Sequence, residues 1–97
     1  MNVDVRSVHF DLGAPTREYL DKKLERLNFA KDSIVTVDFA FTKEKDFICE
    51  STIHFRWGNQ AHIQERDFEL AAGIDKLMDK MEMKVQKEKE KVQDRNK

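Results

Sequence analysis

The sequence predicts an α+β fold in the order β-α-β-β-β-α, a four-stranded sheet with two helices packed on one face. Three observations support this fold: strictly alternating apolar residues in the middle of the chain, apolar residues at helical spacing on either side, and turn residues between these segments. Strands have a side-chain period of two and helices a period of about 3.6. A chain of 97 residues has room for one domain. We expect residues 1–92 to form it and residues 93–97 to be a frayed C-terminal tail.

The N-terminal third predicts a strand and a short helix. Apolar and polar residues alternate over Val3–Phe10, and the phase changes near Ser7, which indicates a strand with an irregularity at that point. Pro15 suits a first helical turn, because its missing N–H has no intrahelical partner there. Three leucines at helical spacing then predict an amphipathic helix from Thr16 to about Asn28, followed by a turn at residues 31–33.

The middle of the chain predicts three consecutive strands. Apolar side chains occupy alternate positions in residues 35–42, 47–55 and 60–66, so each strand has one face to bury. Residues 43–46 form the predicted first hairpin connection, and Trp57–Asn59 the second, where Gly58 can adopt a positive φ. Cys49 lies on the inward phase, which predicts a small core residue rather than a nucleophile.

A second helix is predicted from about Phe68 to the low nineties, with Asp67 as its N-terminal cap. At about 100° per residue this helix has three sides. Its apolar side carries Leu70, Ile74, Leu77, Met78, Met81 and Val85. Its basic side, the lysine stripe, carries Lys76, Lys80, Lys84, Lys87 and Lys91. Its acidic side carries Asp75, Asp79, Glu82 and Glu90.

The segregation of charge on this helix indicates a polyanion as the partner. Interleaved charges would give stabilising i,i+4 pairs, as on an ordinary solvated helix, whereas aligned lysines repel one another and suit phosphates. The first helix adds Arg17, Lys22, Lys23 and Arg26. If both helices lie on one side of the sheet, their basic edges frame one cationic groove. The net charge of −1 gives no support by itself, so the hypothesis depends on this arrangement.

Other classes of function have little support in the sequence. His54 and His62 are candidates to face each other across a hairpin, but no carboxylate or thiol at ligand spacing completes a metal site. There is no nucleophile elbow and no phosphate-binding glycine loop. We therefore predict that the protein is not an enzyme and uses no metal or cofactor. The absence of a signal peptide or long apolar stretch and the single cysteine predict a cytoplasmic protein without a membrane partner.

Four segments together resemble one known family, the ribosome hibernation-promoting factors, also called the ribosome-associated inhibitor or protein Y family. Arg17–Leu27 (REYLDKKLERL) is similar to the family's R-E-Y-V-x-K-K-L-x-K-L. Thr52-Ile53-His54, followed by Gly58 and His62, resembles its third and fourth strands. Ala72–Glu82 (AGIDKLMDKME) resembles A-A-I-D-K-x-x-D-K-L-E, and the ending Lys87-x-Lys89-x-Lys91 also fits.

The sequence departs from the family pattern at several positions. The usual D-M-Y before the A-A-I-D run is replaced by Glu69-Leu70-Ala71, so an aromatic residue is lost. Met83 and Gln86 stand at positions that are often basic, and Glu88 and Glu90 add negative charge. The lysines present in this chain are therefore better candidates than the family's basic positions as a group.

The resemblance implies the β-α-β-β-β-α fold and binding to the small ribosomal subunit. Family members contact its rRNA in the channel used by mRNA and tRNA, and block translation under stress or in stationary phase. Carried over to this chain, the expected rRNA-binding residues are the four basic residues of the first helix and the lysine stripe, with Lys43 and Lys45 as secondary candidates. We expect a monomer off the ribosome. Longer members carry an additional C-terminal domain, so this sequence corresponds to a short-form member or to part of a longer protein.

Two alternatives stay open at this point. One is a double-stranded-RNA-binding module, whose α-β-β-β-α layout is similar but has no leading strand. The other is a protein-binding adaptor that docks through the long helix and its methionines Met78, Met81 and Met83. Pairing of the first strand within the sheet would set the former aside. If the latter holds, deletion of the tail after Val85 should abolish partner binding and spare RNA binding.

Overall fold

The computed structural model describes the backbone of residues 1–95 and the side chains of residues 1–92. Its elements follow the predicted β-α-β-β-β-α order. They are β1 (Asn2–Val8), α1 (Ala14–Leu24), a 3₁₀ segment (Glu25–Ser33), β2 (Ile34–Lys43), β3 (Phe47–Phe55), β4 (Gln60–Asp67) and α2 (Leu70–Arg95). The predicted fold class is confirmed.

The four strands form one mixed sheet in the order β1-β2-β3-β4. β1 runs parallel to β2, with Val5 opposite Phe39, while β2–β3 and β3–β4 are antiparallel hairpins. The parallel pair is joined by α1, as a crossover connection requires. Because β1 is paired along its length, the α-β-β-β-α layout of a double-stranded-RNA-binding module does not describe this chain.

The predicted irregularity near Ser7 is the end of the first strand. β1 stops at Val8, two residues before the predicted end, and His9 adopts a positive φ of 70°. That left-handed residue turns the chain out of the sheet. Phe10 therefore leaves the strand, and its ring packs edge-on against Phe47 with 5.3 Å between centroids. The change of phase in the sequence marks this turn.

The first helix changes its winding where its buried residues change their spacing. Leu20 and Leu24 are four residues apart and lie in α-helix, whereas Leu24, Leu27 and Ala30 follow at intervals of three. A 3₁₀-helix has three residues per turn, so this spacing keeps one side on the core. The predicted helix to Asn28 and the predicted turn at residues 31–33 are accordingly replaced by the 3₁₀ segment.

The core lies between the inward face of the sheet and one side of each helix. From the sheet it takes Val37, Phe39, Phe41, Cys49, Ile53, Phe55 and Ala61, and from α2 it takes Ile74, Leu77, Met78, Met81 and Val85. Burial raises the pKa of the Cys49 thiol to about 11, which makes it a poor nucleophile and confirms its role in packing. Of the three methionines in the adaptor hypothesis, Met78 and Met81 are fully buried and offer no docking face, whereas Met83 is exposed.

The C-terminal part of α2 is helical as far as Arg95. The predicted frayed tail stays a prediction, and residues 96–97 of that tail lie outside the described residues. Among the described helices, none is long and apolar enough to cross a membrane.

Candidate nucleic-acid interface

The lysine stripe of α2 lies along the edge strand β4. Lys76 Nζ is 2.8 Å from Asp67 Oδ2, and Lys80 Nζ is 3.0 Å from Glu65 Oε2. Four helical residues rise about 6 Å, close to the rise of about 6.6 Å over two strand residues. A step of four along the helix therefore matches a step of two back along the antiparallel strand. This match accounts for the contacts of Lys76 and Lys80 with successive inward-facing positions of β4.

Past Glu65 the inward positions of β4 become apolar. Ile63 and Ala61 follow, so Lys84 and Lys87 have no carboxylate within ion-pair distance among the side chains of residues 1–92. These two lysines instead line a cleft of about 360 Å³ between β4 and α2, which we call the β4–α2 cleft. Its lining is His62, Ile63, Gln64, Lys80, Met83, Lys84 and Lys87.

The electrostatics of the paired lysines follow from their contacts. Hydrogen bonding to Asp67 raises the pKa of Lys76, and the same contact, with the backbone N–H of Glu69, lowers the pKa of Asp67. Lys91 Nζ lies 3.6 Å from Oε1 of Glu88, whose side chain is only 8% exposed. Of the five stripe lysines, Lys76, Lys80 and Lys91 thus have a carboxylate partner in the described structure.

The acidic side of α2 faces α1 and the start of the 3₁₀ segment, which carries Arg26. Lys23 Nζ is 3.3 Å from Asp75 Oδ1, and Arg26 pairs with both Asp79 and Glu82, its Nη2 lying 2.9 Å from Asp79 Oδ1. Hydrogen bonds to Glu82 and Asp79 raise the pKa of Arg26. We call this row of contacts the α1–α2 seam. It uses opposite charges on the two helices to stabilise their packing.

The seam corrects the expected single groove framed by the basic edges of both helices. Lys23 and Arg26 are turned toward one flank of α2, while the lysine stripe lies on the other flank, along β4. The carboxylates of α2 attract Lys23 and Arg26 and so separate them from the stripe. Lys22 is exposed and forms no ion pair among the described side chains, and Arg17 Nε lies 3.1 Å from Asp21 Oδ1.

The two hairpin lysines differ in their surroundings. Lys43 Nζ lies 4.2 Å from the centre of the Phe47 ring, a cation–π contact, whereas Lys45 is exposed. Phe47 pairs with Asp67 at the far end of β4, four residues from Ile63. The structure therefore does not bring these lysines into the β4–α2 cleft.

His54 and His62 lie on the outer face of the sheet, and His62, in the edge strand, also borders the β4–α2 cleft. The register pairs His62 with Thr52 and His54 with Gln60, so the two imidazoles do not face each other as the sequence suggested. His54 Nε2 lies 3.3 Å from Asp38, and His62 Nδ1 lies 2.9 Å from Thr52 Oγ1. Within the described residues there is no group of three or more side chains suited to a metal ion.

Sequence reasoning missed the β4 side of the cleft. His62, Ile63 and Gln64 come from the edge strand, and Met83 lies between two lysines of α2 without belonging to the stripe. The signal was present in the order Asp67, Glu65, Ile63, Ala61 along β4. Set beside the helix, this order separates lysines that have a carboxylate from those that do not.

Comparison with known proteins agrees with this architecture. Residues 3–93 match the family described as sigma 54 modulation protein / S30EA ribosomal protein. A relative from Pseudomonas putida, named ribosome hibernation promoting factor, is 31% identical over 94 residues, which are 96% of this chain and 91% of that protein.

Two solved structures share the fold. A ribosomal subunit interface protein from Coxiella burnetii superposes with a TM-score of 0.82 at 24% identity, covering 92% of this chain and 98% of that chain. The N-terminal domain of Thermus thermophilus Protein Y gives 0.79 at 24% identity, covering 90% and 98%. The family match and the Pseudomonas relative confirm the resemblance found in the sequence. This chain therefore belongs to the sigma 54 modulation protein / S30EA ribosomal protein family, that of the ribosome hibernation-promoting factors.

Proposed function

We propose that this protein is a ribosome hibernation factor that binds the small ribosomal subunit through its rRNA. It occupies the channel used by mRNA and tRNA and blocks translation under stress or in stationary phase. It acts in the cytoplasm and is a monomer off the ribosome. The name of the Pseudomonas relative supports hibernation, and the similarity to a ribosomal subunit interface protein from Coxiella supports a place at the subunit interface. The observation that carries the proposal is the pair Lys84 and Lys87, which no described carboxylate neutralises.

The protein excludes mRNA and tRNA sterically, and its positive charges hold it on the rRNA. Each phosphate that a lysine neutralises releases condensed counterions, which favours binding at low salt. Contacts to the RNA backbone fix the position of the protein. Through them the protein recognises the shape of the RNA rather than its sequence. Because no bond is made or broken, the protein needs no cofactor and no catalytic residue.

The ion pairs rank the candidate rRNA-binding residues. Lys84, Lys87 and Lys22 come first, because they give up no carboxylate when a phosphate approaches. Those with a partner to exchange come second, namely Arg17, Lys76, Lys80 and Lys91. Lys43 and Lys45 of the hairpin are secondary, and Lys23 and Arg26 serve the α1–α2 seam as much as the rRNA.

The first test is co-sedimentation of the purified protein with vacant ribosomes and separated subunits across a salt series. A variant with Lys76, Lys80, Lys84 and Lys87 changed to Gln serves as comparison, with circular dichroism to check its fold. We expect binding to the small subunit that weakens steeply with salt, by a log–log slope of about −0.7 to −0.9 per neutralised phosphate, and that the variant largely loses. Failure to sediment with the small subunit at low salt would sink the proposal.

A second experiment tests the location in the channel. Small subunits are loaded with mRNA and tRNA before the protein is added, and unloaded subunits are the control. Occupation of the channel predicts that loaded subunits retain much less protein. Equal retention on loaded and unloaded subunits would place the binding site elsewhere on the subunit.

A further inference from the structure

The β4–α2 cleft carries more than positive charge. Met83 is 61% exposed and lines the cleft together with Ile63, so part of its surface is apolar. Met78 and Met81, in the preceding turn and a half of the same helix, are fully buried, so Met83 is the methionine that α2 presents to solvent. A site for phosphate alone requires only cations and N–H donors. The apolar surface therefore favours an occupant that has an apolar part in addition to a phosphate.

Polar groups of two kinds lie beside this apolar surface. Lys84 and Lys87 are three residues apart on α2, a spacing at which side chains lie on the same helix face. On the β4 side, Gln64 offers an amide with two donors and an acceptor. The cleft thus combines cations, a polarizable apolar surface and hydrogen-bonding groups within about 360 Å³.

We propose that the β4–α2 cleft holds one unstacked nucleotide of an RNA strand. Its phosphate contacts Lys84 and Lys87, the face of its base packs on Met83 and Ile63, and the edge of its base bonds to Gln64. This inference rests on the proposed function, and it names the part of the RNA that the cleft takes.

The size and chemistry of the cleft favour this occupant. Ligand pockets have volumes of about 300–1,000 Å³, so this cleft suits a single nucleotide and not a duplex. Unpaired bases in RNA are recognised by contact with their faces and by hydrogen bonds to their edges. The methionine thioether is polarizable and packs well against aromatic rings. An acidic peptide would use the lysines but would leave the apolar surface of Met83 and Ile63 without a matching group.

Methyl NMR of the whole protein with labelled methionines tests the occupant directly. The probes are a single-stranded RNA hexamer, an abasic oligonucleotide of equal charge, an RNA duplex, adenosine monophosphate and polyglutamate. We expect the hexamer to shift the Met83 signal, and the abasic strand and duplex to shift it much less, with Met78 and Met81 as buried controls. A Met83 response to polyglutamate equal to that to the hexamer, or to the monophosphate but not the hexamer, would overturn the proposal.

A pair of variants separates this inference from the proposed function. Met83→Ala should weaken hexamer binding about two- to tenfold, the range expected from losing one sulfur–aromatic contact, and leave abasic-strand binding unchanged. Lys84→Gln should weaken both. If wild-type protein binds small subunits and Met83→Ala binds the hexamer equally well, the nucleotide site is refuted and the proposed function stands. If the hexamer shifts the Met83 signal but wild-type protein does not bind ribosomes, the nucleotide site stands and the proposed function is refuted.

Discussion

Lys80 of α2 pairs with Glu65 of β4, with Nζ 3.0 Å from Oε2. One turn further along α2, Lys84 shares the cleft with Ile63 of β4, which has no carboxylate. In the sequence Lys80 and Lys84 are equivalent members of one stripe. In the structure only Lys80 has an opposite charge within reach. Since a paired lysine must leave its carboxylate before it neutralises a phosphate, the two residues differ in what they contribute to RNA binding.

Two double variants with equal changes of charge measure this difference. We expect Lys84→Gln with Lys87→Gln to weaken small-subunit binding more than Lys76→Gln with Lys80→Gln. The first pair should also reduce the log–log salt slope by about 0.7–0.9 for each phosphate that is no longer neutralised. Co-sedimentation across a salt series provides the measurement. An equal or larger loss of binding with Lys76 and Lys80 would show that the ion pairs to β4 do not persist on the ribosome.

Release of Lys80 from its partner should increase binding. Glu65→Gln removes the carboxylate, which leaves Lys80 free for a phosphate, so we expect tighter RNA binding and a salt slope steeper by up to about 0.9. Glu18→Gln is the matched control. Glu18 is exposed on α1, and its substitution changes the net charge by the same amount as Glu65→Gln. Equal gains in both variants, measured by fluorescence anisotropy with labelled RNA, would attribute the effect to net charge alone.

The sequence predicted the elements well because their signals are local. Alternation over residues 35–42 and 47–55 requires one buried face whatever the partner, and the structure buries it. The apolar, basic and acidic sides of α2 could also be predicted from the helical period of its residues. Boundaries were predicted less well, because His9 and the 3₁₀ segment reflect how the chain meets the core, which no single window of sequence contains.

The site was predicted in composition but not in arrangement. The basic residues of α1 and the stripe were both identified, yet Arg26 and Lys80 belong to opposite flanks of α2. That placement depends on which side of α2 meets α1, and hence on the attraction between two elements far apart in the chain. Ile63 is part of the site because β4 packs beside α2. The sequence of the helix alone does not predict that contact.

Arg26 and Lys22 should have separate effects on stability and binding. Arg26→Gln breaks the contacts to Asp79 and Glu82 in the α1–α2 seam, so we expect the free energy of unfolding to fall by about 0.5–1 kcal/mol, as for exposed ion pairs. Lys22→Gln, in a residue without a described ion pair, should leave stability unchanged and weaken RNA binding. Urea unfolding and RNA anisotropy on both variants give the comparison. A stability loss in Lys22→Gln as large as in Arg26→Gln would contradict the assignment of the seam.

Asp67 makes stability depend on pH in the acid range. Its pKa lies below the ordinary 3.8, because Lys76 and the N–H of Glu69 favour the charged form. A depressed carboxylate pKa stabilises the fold above the unfolded pKa, and this stabilisation is lost as pH falls through the folded pKa. The sequence predicted Asp67 as the cap of a helix from Phe68, but α2 begins at Leu70, and Asp67 ends β4 and accepts from the Glu69 N–H two residues on, as in an Asx-turn. Asp67→Asn keeps an oxygen for that N–H but removes the charge. Urea unfolding should show the variant less stable at pH 7 and the difference shrinking below about pH 4. A difference that stays constant down to about pH 2.5 would exclude Asp67 as its source.

Gly73 and Cys49 should prove to be coupled. A Cβ on Gly73 would lie 2.7 Å from Cys49 Sγ, whereas the next nearest atom, Asp67 Cβ, is at an ordinary 3.6 Å. Gly73→Ala gains about 1 kcal/mol of helix propensity but costs about 1–3 kcal/mol by overpacking. We therefore expect a net loss of stability in the wild-type background.

Cys49→Ala removes the sulfur and provides the matched background. There the steric cost disappears and the helix propensity remains, so Gly73→Ala should stabilise the protein by up to about 1 kcal/mol. The four proteins form a double-mutant cycle, measured by urea unfolding, whose coupling energy isolates the contact. Additive effects would mean that α2 shifts freely on β3.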